Sequence, residues 1–333
     1  MRKVLLATTA LGMSAGVAFA QDMGMADDGM MMEPASSITL SGDGRMGVIS
    51  TKKDELQFSS RIRIKVSASA TLDSGLSAGG SVRTDQDGTK GKAGSIFLKG
   101  PFGTLTLGDV DAGAKAAVSN VASVGYVNQG DPNEITYLRG GGGDDPTLQY
   151  ALPKMGPVQV YASVGMATET ENGVTKKEIS ADTLSVGAKA DLAIADMGSA
   201  WIGGGFEAVT QEDADGHLVI GAGVSASGFS GTIVAGMQGR DGDEDDGNAD
   251  REQFAVSAGY NAGQIGVTVF YADDTDFAID DPDDNTGYEA LGAGFSWNLG
   301  GGASLSAGFT SWPAQDDDDE DEQTADLGVT FAF

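Results

Sequence analysis

The feature that most constrains this chain is a period of two that recurs along nearly its whole length. Between 56 and 70, Leu56, Phe58, Ile62, Ile64, Val66 and Ala68 fall on one face. Gln57, Ser59, Arg61, Arg63, Lys65 and Ser67 fall on the other. Successive side chains of a strand point to opposite faces, so this alternation predicts a strand with one apolar and one polar side. Residues 38–49 repeat it, with Ile38, Leu40, Met46 and Val48 set against Thr39, Ser41, Asp43 and Arg45. So do 158–166 and the C-terminus, where Leu327, Val329, Phe331 and Phe333 share a face. Sixteen such segments are predicted: 38–49, 56–71, 76–85, 94–100, 103–108, 146–152, 157–166, 181–192, 199–210, 217–227, 229–239, 252–261, 264–272, 287–298, 303–312 and 324–333. A short helical turn is predicted near 112–119.

The connections alternate in length. Seven are short and built from turn residues, such as Asp73-Ser74-Gly75 and Gly300-Gly301-Gly302. Eight are long, near 50–55, 86–93, 109–145, 167–180, 211–216, 240–251, 273–286 and 313–323. Sixteen antiparallel strands with both ends on the short-turn side need that arrangement, and transmembrane barrels have it. Beyond the first twenty residues, no apolar run of about 18 residues predicts a membrane helix. The fold class expected is all-β, a 16-stranded antiparallel transmembrane barrel with short periplasmic turns, long outer loops and an inserted third loop.

Residues 1–20 read as a cleaved signal peptide. Arg2 and Lys3 precede an apolar run that ends in Ala18-Phe19-Ala20, a small-x-small cleavage site. Residues 21–37, with Met30-Met31-Met32, read as a disordered extension, and 38–333 as the barrel.

Charge narrows the function. The chain has 49 acids, 20 bases, one histidine and no cysteine, for a formal charge of −29. Repulsion from phosphate makes nucleic acid an unsuitable partner. Without cysteine there is no disulfide, zinc knuckle or thiol nucleophile. His217 has no Ser/Asp pattern around it, so an enzyme is not expected. The acids concentrate in long loops, as in 241–246, 273–284 and 316–322. There they would be solvated, or would bind divalent cations bridging to lipopolysaccharide. Asp109, Asp111, Asp241, Asp243 and Asp245 are the candidates, with Ca2+ as the ion. The run 241–252 is not an EF-hand, because Asp246 stands where that loop requires glycine.

The bases divide differently. Arg45, Arg61, Arg63, Lys65 and Arg83 share the polar faces of the first three strands. Adjacent strands would gather them into a basic stripe on the inner wall. Loop 109–145 is too long for a hairpin connection. It carries acids, among them Asp109, Asp111, Asp131 and Glu134. Val118, Val121, Val124 and Tyr126 give it something to pack with inside the barrel. Acids there would face the wall bases across a narrow aperture. Glycine, at 51 residues, is abundant even inside strand segments, where it permits bends and close approach. Tyr150, Trp201, Tyr260, Tyr271, Tyr288, Trp297 and Trp312 fall near strand ends, as interfacial girdles do.

Four stretches resemble the general diffusion porins of the alphaproteobacterial type. They are Ile38-Thr39-Leu40-Ser41-Gly42 with Gly44-Arg45-Met46-Gly47, Ser59-Ser60-Arg61-Ile62-Arg63-Ile64, Gly108-Asp109-Val110-Asp111, and the terminal run from Ala325 to Phe333. The resemblance covers 38–333, specific at the ends and diffuse between 167 and 323. It implies a homotrimer of barrels in the outer membrane, in contact with lipid and lipopolysaccharide. It also implies a constriction lined by Arg45, Arg61, Arg63 and Arg83, and a terminal Phe333 read by the barrel-assembly machinery. The extension 21–37 departs from the family, whose first strand starts almost at the mature terminus. The expected function is passive diffusion of small hydrophilic solutes with no required cofactor. The alternative is a secreted or surface-exposed acidic β-rich calcium-binding protein without a pore.

Overall fold

A computed structural model describes residues 36–51, 56–85, 94–127, 146–171, 174–179, 184–194, 197–208, 214–240, 251–274, 288–312 and 322–333. The signal segment and nearly all of the extension lie outside the described residues. So do Asp131, Glu134, Asp241, Asp243 and Asp245.

The strands are β1 (Ser36–Thr51), β2 (Gln57–Thr71), β3 (Ser77–Asp85), β4 (Gly94–Gly100), β5 (Gly103–Gly108), β6 (Thr147–Ala151), β7 (Val158–Val164), β8 (Met166–Glu171), β9 (Val174–Ile179), β10 (Ser185–Ile194), β11 (Gly198–Glu207), β12 (Ala214–Ala226), β13 (Phe229–Arg240), β14 (Arg251–Ala262), β15 (Ile265–Asp274), β16 (Tyr288–Gly300), β17 (Ala303–Trp312) and β18 (Glu322–Ala332). One short helix, α1 (Gly113–Ala117), follows β5. Sixteen strands close into one antiparallel barrel, with β1 between β2 and β18 and with β10 beside β7. Closure leaves no unpaired sheet edge, which a lipid-embedded sheet requires. The seam is completed by the last residue: the Gly42 amide donates to the Phe333 carbonyl at 2.8 Å, and the Phe333 amide donates to the Gly42 carbonyl at 3.0 Å.

β8 and β9 form a separate two-stranded hairpin. It occupies most of the stretch 167–180 expected to be a plain loop and takes Met166 from the strand expected over 157–166, so those expectations are corrected. It forms no part of the barrel sheet, so barrel alternation is not imposed on its sequence.

The strand alternation is resolved into an outside and an inside. Ile38, Leu40, Phe58, Ile96, Ile202, Ile220, Val269 and Leu327 are exposed on the outer surface, Phe58 by 95%. The opposite parity of the same strands lines the lumen. Short turns join the strands at the end that carries both barrel termini, the periplasmic end. The β12–β13 turn has two residues. Ser227 and Gly228 both take positive φ, 50° and 88°, the conformation that matches the right-handed twist of paired strands. The buried apolar cluster lies within the lumen. Ala114, Ala117, Val118, Val121 and Val124 of the segment after β5 pack on Val219, Val234, Ala255, Phe270, Ala272 and Ala290 of the wall.

Candidate functional site

The connection after β5, the third of the long ones, enters the barrel and crosses it along one side. At its root the Asp109 amide donates to the Gly94 carbonyl at 2.9 Å, and Gln149 Nε2 donates to the Asp111 carbonyl at 2.7 Å. The first amides of a helix lack partners within it. Wall hydroxyls supply them here: Gly113 N donates to Ser163 Oγ and Ala114 N to Ser185 Oγ, both at 2.8 Å. Further along, the Ala122 amide donates to Ser257 Oγ at 3.0 Å. The Tyr126 and Val127 amides donate to Asp326 Oδ2 at 3.0 and 3.1 Å. On the far side Arg45 Nη1 donates to the Val127 carbonyl at 2.9 Å, and the Tyr126 hydroxyl to the Ser59 carbonyl at 3.4 Å. The segment therefore runs from β7 and β10, past β14, to β18 and β1, under the part of the wall formed by β10–β18.

Glycines make room for it. A Cβ on Gly205 would come within 2.5 Å of Ala114, and one on Gly187 within 2.7 Å of Ala117. On Gly221 it would meet Val118 at 2.8 Å, and on Gly294 Val124 at 2.9 Å. Gly328 and Gly47 would meet the Tyr126 ring at 2.7 and 2.9 Å. The glycine content read from composition is thus partly a groove, cut in the inner wall to the shape of the inserted segment.

The opposite wall, β1–β5, carries the basic stripe. β1–β2 register sets Arg45 beside Arg61, and β2–β3 register sets Lys65 beside Arg83. Sequence reasoning missed two acids among them. Arg63 lies on one rung with Asp43 and Asp85. Arg61 Nη2 contacts Asp43 Oδ1 at 3.3 Å, Arg63 Nε donates to Asp85 Oδ2 at 2.7 Å, and Arg83 Nε contacts Asp85 Oδ1 at 3.3 Å. Five bases and two acids leave three positive charges on the patch. Asp43 was visible on the polar face of its strand, but its partner depends on register.

Of the expected loop acids, Asp111 Oδ1 pairs with Lys115 Nζ at 3.3 Å within the segment, one helical turn apart. Asp109 is exposed at the root. Among the described residues neither forms an ion pair with the wall bases. No group of three or more His, Asp or Glu residues able to hold a metal ion occurs among them either.

The wall under the segment holds a different charge pair. Arg251 is bidentate to Asp274 through Nε, at 2.8 and 3.1 Å, and through Nη2; Gln253 Nε2 adds a bond to the same carboxylate at 2.8 Å. The aromatic girdle needs correction as well. Trp201 and Trp312 face inward and pack on the lumen cluster, and Lys189 Nζ sits 4.6 Å above the Trp201 ring. Tyr260 and Trp297 are exposed on the outer parity.

A closed sixteen-stranded barrel with a segment folded across its lumen is a membrane channel. The profile of the Gram-negative porins matches residues 7–331. A porin of Rhodobacter capsulatus is 31% identical over 331 residues, spanning 89% of this chain and 100% of that protein. A solved porin structure refined at 1.8 Å covers 89% of this chain and 100% of its own, at 26% identity and a TM-score of 0.68. A variant of the Rh. blastica porin shares the fold, at 20% identity and a TM-score of 0.62. The chain belongs to the Gram-negative porin family and forms an outer-membrane channel. These likenesses give no support to the calcium-binding alternative.

Proposed function

We propose that small hydrophilic solutes and ions diffuse passively through an aperture bounded by Arg61, Arg63, Lys65 and Arg83 on one side and by the inserted segment on the other. The observation that carries this reading is the asymmetry of the lumen. The segment is held mainly along one wall by hydrogen bonds and a glycine groove, with ties to β1, β2 and β4 only at its two ends, and the wall it leaves largely clear has a positive balance. Charged rings and walls set which ions enter a pore, and a fixed transverse field favours polar solutes over apolar ones. Asp131 and Glu134, which lie outside the described residues, are the acids of the segment proposed to answer these bases, since Asp109 sits at the root beside β4 and Asp111 pairs with Lys115. Arg45 belongs to the boundary in a second way, tying the segment to β1. Selectivity then comes from aperture and charge, and no catalysis is involved.

Three barrels assemble into a homotrimer, each conducting through its own lumen. Phe333 closes the seam and serves as the signal for the assembly machinery. The acidic outer loops, with Asp241, Asp243 and Asp245, take Ca2+ or similar ions that bridge to lipopolysaccharide. Planar-bilayer recording of the purified protein tests the channel reading. Conductance in steps of three, linear in salt concentration, is expected. A protein that inserts without stepwise conductance would contradict it.

A further inference from the structure

Below the arginines, toward the periplasm, the open wall changes chemistry. A recess of ≈ 320 Å³ is lined there by hydroxyl groups, with Lys65 above and Phe97 below. Register explains how it is built. Thr39 pairs with Ser67, Ser67 with Ser81, and Ser81 with Ser95, so four hydroxyls from four strands stand on one rung. Adjacent strands put such side chains about 5 Å apart. The rung above carries Lys65 beside Arg83, and the rung below carries Gly79 beside Phe97. Same-face rungs are about 7 Å apart along a strand. A Cβ on Gly79 would meet the Phe97 ring at 2.8 Å, so that glycine lets the ring lie against the wall as a floor. Lys65 is exposed, and no carboxylate among the described residues pairs with it. Arg83, by contrast, is shared with Asp85.

We infer that this recess is a binding subsite for hydroxylated solutes that carry an anionic group, such as hexose phosphates. The anion is held by Lys65, the sugar hydroxyls exchange hydrogen bonds with the Thr39–Ser67–Ser81–Ser95 rung, and an apolar ring face rests on Phe97. The recess volume falls in the range of small-molecule sites. Its place beneath the aperture would make it the first station for a solute that has passed the arginines. The inference rests on the lumen being the solute path, and it adds a ligand class to that path.

Two measurements separate the two claims. In planar bilayers, glucose 6-phosphate should interrupt the ion current in resolvable events, while glucose and inorganic phosphate should interrupt it far less. Calorimetry on the detergent-solubilised protein should rank the three probes in the same order, and it reads binding whether or not the pore conducts. Replacing Ser67 and Ser81 by alanine should shorten the blockades and weaken glucose 6-phosphate binding roughly tenfold, the loss expected of about two hydrogen bonds. Open-channel conductance should stay unchanged. K65M should weaken glucose 6-phosphate and phosphate but leave glucose alone. Glucose 6-phosphate binding no better than phosphate would mean a general anion effect and would overturn the subsite. So would an S67A/S81A variant that assembles normally and binds like the parent. If the variants fail to assemble, the ranking of the three probes on the unmodified protein still decides the matter. Binding without conductance would instead count against the channel reading alone.

Discussion

Two arginine–aspartate pairs on opposite sides of the lumen show how one chemistry serves two ends. Arg251 and Asp274, on the wall near the inserted segment, have side chains 6% and 0% exposed. Arg83 and Asp85, on the open wall, have side chains 42% and 11% exposed. The first pair is cut off from solvent, so its charges are satisfied within the wall, by each other and by Gln253. The second lies on the open wall with its guanidinium partly hydrated, and in the proposed reading it contributes to the field that a solute meets. Burial, and not the residue types, separates the two pairs. The same division runs through the smaller residues: glycines on the covered wall receive the segment, and serines on the open wall face water.

The largest effect is expected at the buried pair. R251M should destabilise the barrel by about 3–5 kcal/mol, because Asp274 is left as a buried charge without its arginine. Its ion selectivity should stay that of the parent; thermal unfolding and reversal potential read the two effects. G205V comes next. Its side chain would displace α1, costing about 1–3 kcal/mol by overpacking and raising current noise as the segment loosens. An unchanged unfolding midpoint would remove the glycine groove from the account. D326N weakens the acceptor of the Tyr126 and Val127 amides, for an expected loss of about 1–2 kcal/mol in unfolding stability. The smallest effect belongs to Lys154 and Asp191, an exposed pair at the periplasmic end with Nζ and Oδ2 3.1 Å apart. K154A should change stability by at most about 1 kcal/mol.

Much of the fold is legible in the sequence because lipid imposes a strict rule on one face of each barrel strand. All sixteen barrel strands begin and end close to where alternation of residues such as Ile62, Ile64 and Val66 places them. The β8–β9 hairpin forms no part of the barrel sheet and is not bound by that rule. Its one readable signal is Asn172-Gly173, a dipeptide suited to a two-residue hairpin turn. The inserted segment is legible from its length and from Val118, Val121, Val124 and Tyr126, all of which become buried. What the sequence does not carry is register. Pairing offset alone decides that Asp43 and Asp85 flank Arg63, or that Trp201 lies beside Gly223. For the same reason the hydroxyl rung below Lys65 is invisible until the strands are paired.

In the proposed reading the open wall, and not the acidic loops, sets the charge selectivity of the pore. The reversal potential of an R61S/R63S variant across a salt gradient tests this. A shift toward cation selectivity is expected, with the unfolding midpoint little changed. An unchanged reversal potential in a properly assembled channel would contradict it and remove these arginines from the aperture.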